Sequence, residues 1–235
     1  MTVDDTVTAV TSIFGDVFAR IQGWRESIEQ LVDDAEGRVT TAEVDTLAAH
    51  LVATDLARPG ALVIGAGFVA APRFLTDTDW HLAWWLGSSN TFGLGSAKPG
   101  LRRLEAVEDE SSESFRDYTN LEWWRVPVRT GEPHITGPYV DYLCTDDYTL
   151  TLTMPVRHAG RLVGVVGADL YVTDIERMLL PRLRGLGGLA TIVNSAGRVV
   201  VSTDAHRAPG SLVRLDGVDS IACGDEGLRL VVDAA

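Results

Sequence analysis

Two apolar runs decide the reading of this chain: Thr149-Leu150-Thr151-Leu152-Thr153-Met154-Pro155-Val156-Arg157 and Arg161-Leu162-Val163-Gly164-Val165-Val166-Gly167-Ala168-Asp169-Leu170. The first alternates threonine with leucine, methionine and valine, the period of a strand with two unlike faces. His158-Ala159-Gly160 between them is a tight-turn sequence, so the pair predicts a β-hairpin. Asp169 stands out because it ends a glycine-rich, otherwise apolar strand. It reads either as a ligand-holding carboxylate or as a cap for the turn that follows.

Immediately upstream, aromatic and acidic residues concentrate. The chain runs Tyr118-Thr119-Asn120-Leu121-Glu122-Trp123-Trp124, then Gly131-Glu132-Pro133-His134-Ile135-Thr136-Gly137-Pro138-Tyr139-Val140-Asp141-Tyr142. Ser114 to Arg125 reads as a helical turn, and Pro127 and Gly131 to Pro138 read as loop. Aromatic faces beside a carboxylate suit an organic cation, through cation–π attraction and a charge-assisted hydrogen bond. The plain alternative is that the tryptophans are core, because large aromatics mostly pack. Asp141 has its own alternative, a salt bridge with Arg116 or Arg125.

Farther out the chain reads as scaffold. Apolar residues at Val3, Val7, Val10, Phe14, Val17, Ile21, Trp24, Ile28 and Leu31 recur every three or four positions, predicting one amphipathic helix over 3–32. Its stripe either packs on its own domain or forms a homodimer face. Thr40 or Thr41, with Glu43 behind it, caps a second helix ending near Ala57. Ala61 to Ala71 is an apolar, small-residue run and reads as a buried strand. Trp80 to Leu86 and Leu101 to Val107 read as further strands. A helix is expected from Thr173 or Asp174 to Leu180, then a hairpin from Leu189 to Ser202 and a last strand from Leu228 to Val232.

Composition narrows the function. The 235 residues carry a net charge of −13, which repels a phosphate backbone and argues against nucleic acid. The five histidines show no metal-ligand spacing, and neither metal nor cofactor is expected. Cys144 and Cys223 are read as two reduced thiols, a single bridge staying open. No serine has a nucleophile-elbow context, so an enzyme is not expected; a hydrolase built on Asp141 or Asp169 with His134 is a lesser alternative. The opening Met-Thr-Val-Asp-Asp lacks a signal peptide's basic start and apolar run, and no stretch is apolar enough to span a bilayer. On those grounds a cytoplasmic location is expected, with an extracytoplasmic one if the chain is a trimmed piece.

The motif order also resembles a known family, the Cache sensor domains, PAS relatives of the PDC type. The residues that carry the resemblance are Asp117, Thr119, Trp123-Trp124, Gly131 with Pro133, Pro138-Tyr139-Val140-Asp141, Thr151 to Pro155, and Gly164-Val165-Val166-Gly167-Ala168-Asp169. It extends over about Arg58 to Leu180. It implies an α+β fold: a long N-terminal helix on a PAS-like antiparallel sheet of five or six strands, with extra C-terminal strands from a truncated double-Cache arrangement. The expected division is 1–58 N-terminal helices, 59–182 ligand-binding domain, and 183–235 a truncated second module or strands completing the domain.

The resemblance further implies a small-molecule sensor. In amino-acid-sensing members an arginine two positions before the aromatic pair grips the ligand carboxylate; this chain has Leu121 there. The acidic positions survive as Asp141 and Asp169, and the aromatic one as Tyr139. The expected ligand is therefore an amine or an amino-acid-like cation, with Trp123, Trp124 and Tyr139 as walls, Asp141 and Asp169 holding the ammonium, and Tyr118 as an additional wall. Any output passes to a separate protein or through dimerisation along the first helix. A ligand-free structural or dimerisation module is the alternative.

Overall fold

A computed structural model describes residues 2–58, 60–90, 100–140, 145, 147–215 and 217–233. The chain begins with a 32-residue helix, α1 (Val3–Asp34), and a second, α2 (Thr41–Leu56). Both start with a capping box. Thr2 and Asp5 satisfy each other's exposed backbone N–H groups at α1, and Thr40 and Glu43 do so at α2. The acidic opening of the sequence is thus a helix cap. Glu36 and Gly37 turn the chain between the helices with positive φ.

The first sheet has six strands: β1 (Val63–Ala70), β2 (Leu82–Leu86), β3 (Arg102–Arg103), β4 (His134–Val140), β5 (Tyr148–His158) and β6 (Arg161–Tyr171). They are antiparallel in the order β3-β2-β1-β6-β5-β4. The β5–β6 hairpin turns at Ala159 and Gly160, both at positive φ, the geometry of a two-residue hairpin loop. A 3-10 turn at Tyr118–Asn120 leads into α3 (Glu122–Thr130), which lies against β5 and β4. After β6 come α4 (Val172–Arg184) and a second sheet of β7 (Leu189–Val193), β8 (Val199–Ser202), β9 (Ser220–Cys223) and β10 (Leu228–Asp233), ordered β8-β7-β10-β9. The α+β architecture, with its long first helix, PAS-like sheet and added C-terminal strands, is the one expected.

α1 joins the two sheets. Its apolar stripe, Val10, Phe14, Val17, Ile21, Trp24, Ile28 and Val32, is buried against β5 and β6 and reaches β9. At its C-terminal end Asp33 lies 2.7 Å from His158 at the hairpin tip. α2 covers β1 and β2.

Three local expectations need correcting. Pro127 is inside α3 rather than in a loop. Proline removes the N–H that would bond the carbonyl four residues back, that of Trp123; the Thr153 hydroxyl donates to this carbonyl instead, at 2.9 Å. Residues 134–140 form an edge strand rather than loop, because a register shift at Gly137-Pro138 admits the proline. The strand expected at 101–107 is reduced to Arg102–Arg103.

An ion cluster centred on the buried His81, its partners half-exposed, ties α2 to the sheet. His81 Nε2 lies 2.9 Å from Asp45 and Nδ1 2.9 Å from Glu108, with Arg103 beside both His81 and Asp45. Burial pushes the His81 pKa down, but hydrogen bonds and charge from Glu108 and Asp45 outweigh it, and the net shift is upward. Burial raises the Glu108 carboxyl, yet His81, the Leu82 amide and Arg103 leave it below its ordinary value. A raised histidine pKa stabilises fully below the unfolded value of about 6.5 and is lost as pH rises through the folded value. A lowered carboxylate pKa stabilises above the unfolded value and is lost as pH falls through the folded one. Denaturation between pH 6 and 8 should show wild-type stability falling with pH on this account, and the fall should be shallower in His81→Gln; an identical slope would remove the cluster from the pH response.

Candidate functional site

The strand registers lay two rows of residues across one face of the first sheet. One row is Leu86, Gly65, Asp169, Thr151 and Thr136; the next is Trp84, Gly67, Gly167, Thr153 and His134. The opposite face carries Phe68, Ala168, Leu152 and Ile135. Alternation along each strand separates the two sets. Glycines in the centre of the rows keep the middle of the face low, with polar and aromatic side chains at its margins.

Asp169 is 1% exposed. Thr151 donates its hydroxyl proton to Asp169 Oδ1 at 2.7 Å, and the Tyr139 hydroxyl lies 2.8 Å from Thr151 Oγ1. With the threonine's one proton committed to the carboxylate, Tyr139 donates to Thr151. A Cβ built on Gly65 would sit 3.0 Å from Trp84 Nε1 and 3.2 Å from Asp169 Oδ2, so an indole N–H and a carboxylate oxygen converge above this glycine. Trp84 Nε1 and the Thr136 hydroxyl are both buried and have no hydrogen-bond partner among the described residues. A buried polar group left without a partner costs about 1–3 kcal/mol, so such groups commonly mark a missing ligand or water.

Next to Tyr139, a cavity of about 530 Å³ opens between α3, β4 and the turn joining β7 to β8. Leu121, Trp123, Thr136, Tyr139, Arg116 and Arg198 are on its walls, with Asp117 and Glu122 at the mouth of α3. Asn194 secures the junction: its side-chain amide donates to the carbonyls of Ile135 and Gly137 on β4. Glu122 lies 3.0 Å from His134. The hydrogen bond from His134 is the main cause holding its carboxyl below the usual range; burial opposes, and the charges of His134, Arg198 and Arg125 assist.

The sequence candidates separate. Trp123 and Tyr139 line the cavity. Asp169 lies one hydroxyl beyond Tyr139 and does not cap α4, whose N-cap is Tyr171 with no side-chain bond. Trp124 and Tyr118 are buried in an aromatic cluster with Trp80, their ring centroids 5.2 Å apart, and are not on the cavity wall. The Tyr118 hydroxyl donates to the Ala70 carbonyl at 2.7 Å, and burial pushes its pKa up. Asp141 and Cys144 lie outside the described residues. Cys223 is a buried free thiol, its pKa pushed up to about 11 by burial.

Sequence reading did not single out Trp84, Thr136, Thr151 or Arg198. The small-residue spacing of Gly65 and Gly67 was the available signal for Trp84. Thr136, Thr151 and Arg198 depend on strand register and on contact between the two sheets. Among the described residues, no group of three His, Cys, Asp or Glu side chains is placed to hold a metal ion, and no helix is long and apolar enough to cross a membrane.

Comparison with known proteins supplies context. Residues 96–177 match the family described as methyl-accepting chemotaxis protein-like, first PDC sensor domain. The methyl-accepting chemotaxis protein PctB of Pseudomonas aeruginosa is 28% identical over 90 residues, 38% of this chain and 14% of PctB's length. The ligand-binding domain of the P. aeruginosa amino-acid chemoreceptor PctC, solved with GABA, superposes with a TM-score of 0.57 at 16% identity, covering 97% of this chain and 93% of that one. The ligand-binding domain of the Pseudomonas fluorescens chemoreceptor CtaA, solved with L-valine, gives 0.58 at 17% identity, covering 98% and 93%. These sensor-domain matches overturn the cytoplasmic location expected from the sequence and support an extracytoplasmic one. The expectation rested on the lack of a signal-peptide pattern and of a membrane-spanning stretch; the acidic opening that accompanied it is the cap of α1.

Proposed function

We propose that this chain, a PDC sensor domain of the Cache type, binds a small ligand bearing an ammonium group and is not an enzyme. The observation that carries the reading is the buried Asp169 carboxylate. It converges with the Trp84 indole over Gly65 and is joined through Thr151 to Tyr139 on the cavity wall. A carboxylate in a low-dielectric site attracts an ammonium strongly, and the aromatic faces of Trp123 and Tyr139 complement the rest of a cation. In this reading residues 59–182 carry the ligand, 1–58 brace the sheet, and 183–235 complete the cavity's outer wall. Trp124 and Tyr118 support the wall through Trp123. The ligand is an amine or an amino acid.

A thermal-shift screen against primary amines, quaternary ammonium compounds and amino acids tests this. A ligand at about a hundred times its dissociation constant stabilises the fold by about 2.7 kcal/mol. At least one of these classes should raise the melting temperature, and the rise should vanish in the Asp169→Asn protein. No shift from any class would overturn the reading.

A further inference from the structure

We propose that His81 is a proton-operated latch for α2: the charged ring holds the helix against the first sheet, and loss of its Nε2 proton loosens it. His81 immediately precedes β2 and is 3% exposed. Its Nε2 lies 2.9 Å from Asp45 Oδ1 on α2, and its Nδ1 lies 2.9 Å from Glu108 Oε1. A neutral imidazole carries one N–H and one lone pair, whereas an ionised carboxylate only accepts. The neutral ring therefore serves one of these two partners and turns a lone pair on the other. Only the imidazolium serves both.

The groups around the ring come from every element packed on it: Asp45 from α2, Arg103 from β3, Glu108 from the segment after β3, and Asp77 from the loop before β2. Tyr118, whose hydroxyl donates to the Ala70 carbonyl, is held neutral by burial. Arg103 decides which proton leaves. Its Nη2 lies 3.4 Å from His81 Nε2 and 3.4 Å from each Asp45 oxygen. A guanidinium there disfavours a proton on Nε2 and can donate to the lone pair that remains. The Nε2 proton thus passes to water, and Nδ1–H stays with Glu108, which also accepts from the Leu82 amide. Asp45 is left facing a lone pair at 2.9 Å and keeps only its longer contacts with Arg103.

The other polar ties of α2 do not titrate near neutral pH. Asp77 accepts from the Thr41 amide and hydroxyl at one end, and the Leu56 carbonyl accepts from the Ser88 amide at the other. The helix therefore stays attached at its ends while the stretch around Asp45 loosens. The net upward shift of His81 fixes the sense: the latch is closed below the ordinary histidine value of about 6.5 and opens as pH rises through the folded value. α2 covers β1 and β2, the strands that bear Gly65 and Trp84. Proton concentration then acts on the strands that meet Asp169, as an input separate from any ligand in the cavity.

The test follows the purified, ligand-free chain by NMR. The His81 ring signals are titrated, and amide hydrogen exchange, corrected for its intrinsic pH dependence, is measured at pH 6 and 8.5. Amides of α2 should lose about tenfold more protection than those of β5 and β6, since each unit by which closure raises the histidine pKa shifts the closed-to-open ratio tenfold. His81→Gln should abolish this extra loss. Asp45→Asn, at a side chain 30% exposed, serves should His81→Gln fail to fold; it should lower the His81 pKa and leave α2 equally protected at both pH values. Protection of α2 that does not change as His81 titrates, or that falls only in step with β5 and β6, would overturn the latch. So would an extra loss in Asp45→Asn as large as in the wild type.

Discussion

Asp169→Asn lowers the affinity for amines and amino acids by about a hundredfold or more, within the 2–5 kcal/mol lost when one partner of a buried, hydrogen-bonded charge pair is truncated. The change is nearly isosteric. The amide oxygen can still accept from Thr151, so Tyr139 and Thr151 keep their places. What disappears is the negative charge, in a position 1% exposed where water cannot replace it. Calorimetric titration of whichever ligand the screen identifies, paired with a thermal melt of the free variant, checks the result. Affinity within about threefold of wild type in a folded Asp169→Asn protein would place the ammonium elsewhere, since a lost charge contact in a dry site costs more than that.

Phe14→Ala destabilises the chain by about 3–5 kcal/mol, the usual cost of removing a buried aromatic side chain. Phe14 is fully buried at the middle of α1, on the helix that spans both sheets. Its loss leaves a cavity in the core under α1 that a 32-residue helix cannot collapse into without moving its other contacts. The prediction also separates the two readings of the stripe. A core residue gives a destabilisation independent of protein concentration, whereas a residue at a dimer face makes the melting temperature depend on concentration. Urea denaturation at two concentrations tenfold apart distinguishes them. The burial of Val10, Val17, Ile21 and Ile28 in the same stripe predicts concentration independence.

Much of the fold was legible because its signals are local. The period of α1, the capping boxes at Thr2 and Thr40, and the alternation of β5 around His158-Ala159-Gly160 all depend on residues within a few positions of one another. The expectations that failed depended on distant partners. Pro127 reads as a break until Thr153, from a different strand, supplies the donor its helix lacks. The Gly137-Pro138 segment reads as loop until β5 pairs with both of its sides. The expected cytoplasmic location failed for another reason: it inferred a compartment from the absence of a signal-peptide pattern and a membrane-spanning stretch, and an absence names no compartment.

The site divides in the same manner. Asp169, Tyr139 and Trp123 were recognisable from residue type and motif order, and their neighbours in the chain are enough to draw attention to them. That Trp123 lines the cavity while Trp124 packs on Tyr118, which in turn meets Trp80, is set by the rotation of α3 on the sheet. The sequence by itself determined the long helix, the central hairpin, and a conspicuous acidic residue at the end of a glycine-rich strand, because period, turn chemistry and capping act over short chain distances. Only the tertiary structure decided that Trp84 and Asp169 meet over Gly65, and that Arg198 crosses from the second sheet to a wall where Leu121 offers no charge. Those contacts join residues far apart in the chain, and what brings them together is strand register and the packing of two sheets along one helix.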